Sequence, residues 1–227
     1  MRTVLAFAAA LYVSLFITAL FTDADISDLG PVARTYAQNG INDVGSANLV
    51  TAVIVTYRGL DTLGEVTVLF TASTAIILLL SLHAIARRAS PASDIVSLTA
   101  RVLPAPILLF GLYIIAHGHL SPGGGFPGGA VIASAALLVL LGCAGGVAFA
   151  HWLPLAESFA GLSFALLGFW GLLRMTQYLN NSVIPLGVPG NLISAGIIPL
   201  ISTAIGVKVA SELSAILAAF RAKGWEE

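Results

Sequence analysis

Charged side chains are scarce in this chain, 9% of 227 residues, against roughly 25% in soluble domains. So few charges cannot cover the surface of a globular fold, which excludes an ordinary soluble domain. Those present nearly cancel, 10 Lys and Arg against 11 Asp and Glu, so there is no basic face for a nucleic-acid partner. The one cysteine, Cys143, excludes an internal disulfide and a thiolate metal cluster, and inside an apolar run it reads as a small packing residue. The sequence has no Walker lysine, no serine elbow, and no His, Cys, Asp or Glu cluster at metal-ligand spacing. No catalytic site and no metal site are evident in this chain taken alone.

Apolar residues make up 58% of the chain, and the mean hydropathy is +0.97. A crossing helix needs about 20 apolar residues. Six runs approach that length: 4–21, 63–85, 97–116, 130–149, 155–173 and 192–209. The expected fold is all-α, an integral membrane protein of about six transmembrane helices embedded in a lipid bilayer. The first run follows Arg2 and exceeds a signal h-region, so it reads as an uncleaved span. The run 47–57 is too short to cross and reads as a surface or half-buried helix capped by Ser46. Residues 89–94 form the linker between two membrane modules, 1–93 with two spans and 94–227 with four, and Asp94 can cap the helix that follows. Pro104 and Pro106 predict a kink, and Gly142 and Gly146, four apart, predict close helix contact.

Six spans collect Arg2, Arg87, Arg88, Arg101, Arg221 and Lys223 on one side, and Arg34 and Arg58 on the other. Basic residues stay on the cytoplasmic side. Both termini are therefore expected in the cytoplasm, with the chain in the inner (cytoplasmic) membrane.

Residues 117–129, HGHLSPGGGFPGG, interrupt two apolar runs. Pro122, Gly123, Gly124, Gly125, Phe126, Pro127, Gly128 and Gly129 predict a structural break, because proline removes amide donors and clustered glycines cost backbone entropy. In lipid, backbone freed in this way persists only when buried in protein or facing water. Gly123, Gly125 and Gly128 repeat the dinucleotide fingerprint as a string, but no strand precedes them and an apolar span follows.

Several side chains carry two readings. His117 and His119 can pass protons near neutral pH, or can tie down the broken backbone. Glu65, beside Asp61 and Arg58, reads as an ion-path carboxylate at the membrane edge, or with Thr62 as a capping box. Lys208 and Glu212 share a helix face as an interfacial ion pair, with a proton-relay lysine as the alternative. Glu157, Arg174, His83 and His151 read as interfacial residues.

Two stretches carry a resemblance to a known family. Arg101-Val102-Leu103-Pro104, Phe110-Gly111-Leu112-Tyr113 and residues 117–129 resemble the B subunit of Mrp-type Na⁺/H⁺ antiporters and its counterpart in membrane-bound, energy-converting hydrogenases. Residues 48–65, NLVTAVIVTYRGLDTLGE, are similar to the C-terminal part of the antiporter A subunit, which is a separate small subunit in the hydrogenases. One position departs: the antiporter pattern has an acid before its Phe/Tyr-Arg-Gly unit, and here that position is Thr56. The resemblance implies a membrane subunit of a cation- or proton-translocating module, coupling Na⁺ or H⁺ movement to another site. Two fused modules without a large antiporter bundle match the layout of a hydrogenase-type respiratory complex. The implied partners are other membrane subunits and a peripheral redox arm, whose subunits would carry Fe–S clusters and a Ni–Fe centre. No cofactor is expected in this chain. The alternatives are a subunit of a stand-alone antiporter and a non-conducting scaffold.

Overall fold

The computed structural model describes residues 2–22, 30–82, 92–143 and 150–223. Among them all regular structure is helical. Two compact units form, Met1–Ala37 and Gln38–Glu227. The first contains α1 (Arg2–Thr22), an apolar helix about 31 Å long at 1.5 Å per residue. It also contains the start of α2 (Pro31–Val44). Pro31 opens that helix, in a turn where its missing amide hydrogen costs no bond.

The second unit contains α3 (Leu49–Ala52), α4 (Gly59–Leu82), α5 (Asp94–Val102), α6 (Pro104–Ala116), α7 (Gly125–Gly142), α8 (Leu153–Met175) and α9 (Ile198–Lys223). Helix α9 is its central post, packed against α4, α6, α7 and α8. Ile198, Ile201, Ile205 and Val209 of α9 share a core with Val66 of α4 and Phe164 of α8. By length and composition, α4, α7, α8 and α9 can each cross a membrane, and α5 with α6 forms a further crossing bent by 43°. The bend falls where Pro104 opens α6, since proline cannot extend the hydrogen-bond ladder of α5. The all-helical, multi-pass membrane fold expected from the sequence is the one that forms.

Local differences have local causes. Helix α7 starts at Gly125, not near residue 130. Amides of a first turn have no helical acceptor, so Pro127 forfeits nothing there. A Cβ on Gly125 would lie 2.5 Å from the Ser202 carbonyl oxygen, and one on Gly129 would lie 2.7 Å from that of Gly206. Gly125 and Gly129, with Gly128 against α6 and Phe126 against the core, therefore belong to helix seams, while Pro127 is exposed in the first turn of α7. The break itself is confined to residues 117–124.

Asn48, not Ser46, caps α3, and Ser46 Oγ donates to the carbonyls of Asn48 and His119 instead. Beyond α3 the helix widens over Val53–Tyr57, where the Arg58 amide reaches back five residues to the Val53 oxygen at 2.8 Å. Helix α4 starts directly at Gly59, so the Thr62–Glu65 capping box does not form. Thr62 is buried and donates its hydroxyl hydrogen to the Ile54 oxygen at 2.7 Å. Ser93, rather than Asp94, caps α5. Gly142 packs against Ala100 and Val96 of α5. Gly146, His83, Arg87, Arg88 and residues 89–91 of the linker lie outside the described residues.

Gly129→Leu should force α7 away from α9 and lower stability by about 1–3 kcal/mol or more. The unfolding midpoint in detergent should fall for this variant. Gly64→Ala, where an added Cβ meets nothing, should leave the midpoint unchanged or raise it slightly.

Candidate functional site

Three connections meet at one end of the second unit: the segment before α3, the break 117–124, and the loop between α8 and α9. Asn48 joins the first two. Its Oδ1 accepts from the amides of Val50 and Thr51, capping α3. Its Nδ2 donates to the carbonyls of Gly118 at 2.9 Å and Ser121 at 2.8 Å. Thr51 Oγ1 donates to the same Gly118 oxygen at 2.6 Å, and the Asn48 amide donates to the His119 oxygen at 3.0 Å. The carbonyls of Gly118, His119 and Ser121 in the glycine-rich break are thus satisfied by residues 46–51. Asn181 does similar work in the third connection, donating to the Val44 oxygen and accepting from the Ile197 amide at 2.8 Å.

Both histidines anchor this end. His117 stacks on Tyr113 with ring centroids 4.1 Å apart, and its Nδ1 lies 3.1 Å from the Tyr113 oxygen. His119 is buried, with Nε2 3.1 Å from the Leu192 oxygen. Burial pushes the His119 pKa below its ordinary 6.5, against the raising influence of the Asn191 and Leu192 carbonyls, and His117 adds a smaller downward push.

Arg58 and Asp61 form an exposed pair, with Nη2 2.6 Å from Asp61 Oδ2. Glu65 is exposed on α4. Among the described residues no ion pair links these three to His117, His119 or Lys208.

Lys208 is different. It lies ten residues into α9, about 15 Å from that helix's start. Its Nζ is 2.8 Å from Glu212 Oε1, 3.8 Å from Glu157 Oε1, and 4.9 Å from the centroid of the Phe70 ring. Glu212 is fully buried and Lys208 nearly so. The Lys208–Glu212 ion pair read from the spacing forms, and it forms inside the bundle, because α4 and α8 cover that face of α9. Spacing of four residues shows a shared face, but not what covers it. Two carboxylates share one ammonium, so neutrality requires one further positive charge, a proton or a cation.

Residues 95–215 match the sequence profile of a domain related to the MnhB subunit of Na⁺/H⁺ antiporters, and residues 2–102 match that of MbhE, a subunit of MBH. An uncharacterized protein of Methanocaldococcus jannaschii is 32% identical over 222 residues, covering 83% of this chain and 84% of its own length. A chain from the structure of the membrane-bound sulfane sulfur reductase (MBS), an archaeal respiratory membrane complex, is 37% identical with a TM-score of 0.78, covering 96% of this chain and 97% of that one. A chain of the Mrp complex from Dietzia sp. is 26% identical with a TM-score of 0.79. The match covers all of this chain but only 26% of that one.

Two outcomes follow from the joined connections. Asn48→Ala removes a cap and strands the Ser121 carbonyl, while Gly118 keeps its bond from Thr51; it should lower stability by about 2 kcal/mol, read as a drop in the unfolding midpoint in detergent. His119 is held neutral on folding. Its share of stability should be complete above about pH 6.5 and lost as the pH falls towards the depressed folded value, because the unfolded chain then binds the proton and the folded chain does not. A His119→Gln variant should flatten that part of the stability–pH curve.

Proposed function

The chain belongs to the family of domains related to the MnhB subunit of Na⁺/H⁺ antiporters, and on that premise we propose that it is an ion-conducting membrane subunit of a redox-driven respiratory complex. The observation that carries this reading is the buried Lys208–Glu212–Glu157 cluster. Desolvating such groups costs on the order of several kcal/mol per ion. A scaffold gains nothing from them that apolar packing would not supply. A cluster with one charge to spare can bind and release a proton, and so can carry charge across the middle of the bundle.

Near-complete coverage of a chain of the MBS complex supports the layout of a respiratory complex over that of a stand-alone antiporter, whose matching chain is about four times longer. Na⁺ or H⁺ is the moving ion. Glu65, with Asp61 and Arg58 beside it, faces the hydrated side of the path or a neighbouring subunit. Redox chemistry belongs to a peripheral arm, whose Fe–S clusters and, in a hydrogenase-type complex, Ni–Fe centre sit in partner subunits. The Asn48 end lies outside, and the opposite end, where Arg221 donates to the Cys143 oxygen at 2.7 Å, lies in the cytoplasm with both termini.

Lys208→Met, Glu212→Gln and Glu65→Gln, each in the assembled complex in vesicles, should lower Na⁺ or proton flux at least tenfold. Unchanged flux with normal assembly for all three would favour the scaffold reading. Mild detergent extraction should co-purify iron–sulfur subunits, whereas antiporter-like chains alone would indicate the stand-alone antiporter.

A further inference from the structure

A cavity of about 140 Å³ lies beneath the glycine-rich break, between the widened turn Val53–Tyr57, α4, α7 and α9. Thr51, Thr62 and Ser202 line it together with the start of α7 at Gly125 and Phe126. Thr51 and Thr62 give their hydroxyl hydrogens to the Gly118 and Ile54 carbonyls, leaving oxygen lone pairs free to accept. Ser202 is 2% exposed. On the same helix Thr203 and Ser211 bond back to the carbonyls of Pro199 and Val207. Ser202 makes no such bond among the described residues, and it lines the cavity. The amides of Gly125 and Phe126 open α7 and have no acceptor within the helix.

This wall offers donors and acceptors without a charged side chain. The positive end of α7 disfavours a cation, and no basic side chain lines the cavity to hold an anion. The chemistry left is that of water, with room for about four molecules at ~30 Å³ each.

Two stripes run from the cavity to the buried cluster. On α4 they are Thr62, Val66 and Phe70, the last with its ring against Lys208. On α9 they are Ser202, Ile205 and Lys208, and the six residues from Ser202 to Lys208 span about 9 Å along the axis. Ile205 forms the cavity wall on that side, and with the buried Val66 it makes the one layer that intervenes.

We infer that this cavity is a water chamber from which the Lys208 cluster exchanges protons across the Val66–Ile205 layer. The exchange, though not the hydration, rests on the charge-carrying reading of that cluster. In each exchange a hydronium in the chamber gives its proton to a cluster carboxylate and remains as water, and the reverse step returns it.

The test uses the assembled complex in a Cys143→Ser background, treated with methyl methanethiosulfonate and read by mass spectrometry. A thiol reacts as its thiolate, which forms where water reaches it. The Ser202→Cys variant should be modified at least tenfold faster than the Val66→Cys variant, whose side chain is buried and does not line the cavity. Val55→Cys, which lines the same cavity, should react as fast as Ser202→Cys and replaces it if that variant does not assemble. Rates at positions 202 and 55 no faster than at 66 would overturn the chamber. Modification fills the cavity and should lower proton flux at least fivefold; full modification with flux unchanged would overturn the proton exchange. Full flux in Lys208→Met would instead remove the premise, and the labelling rates would still decide the hydration.

Discussion

A peptide group stripped of its hydrogen bond cannot be left bare in hydrocarbon. That constraint explains the architecture of one whole end of this bundle. A break as severe as residues 117–124 releases carbonyls at Gly118, His119 and Ser121, and each is met by a specific donor from residues 46–51. The Asn48 side chain suits this because a carboxamide both accepts and donates. It caps α3 with its oxygen and holds the break with its nitrogen. The two motifs are thus a single hydrogen-bonded unit.

The same constraint gives meaning to the charges. Lys208, Glu212 and Glu157 sit where α4, α8 and α9 converge, away from the exposed Arg58–Asp61 pair. Surface pairs add little to stability. Buried, incompletely balanced ones are retained at a cost, and intramembrane ionisable groups mark ion or proton routes. Membership in the MnhB-related family and the coverage of an MBS chain supply the setting in which such a route has a use.

Much of this was legible in the sequence. Long apolar runs and sparse charge show an all-helical membrane protein, and proline at 104 marks the bend between α5 and α6. Local pattern misplaced the details that depend on neighbours. Pro127 and the glycines around it read as a break, yet they sit in the first turns of α7, because α6 and α9 come close enough to need glycine there. Thr62 and Glu65 have capping-box spacing, but the widened turn brings α4 in at Gly59, four residues before the expected start at 63. Lys208 and Glu212 showed their shared face, while the helices covering it lie dozens of residues away in sequence. Asn48 fell inside the short helix expected over 47–57, and its bonds to residues about 70 positions on were not visible.

The central claim is that the buried cluster moves charge because it holds one negative charge more than its lysine balances. Glu157→Gln removes that excess while leaving the Lys208–Glu212 pair in place. The direct measurement is the electrogenic current of the assembled complex on a solid-supported membrane. The predicted result is a current at least tenfold lower with assembly intact. An undiminished current from a normally assembled Glu157→Gln complex would contradict the claim.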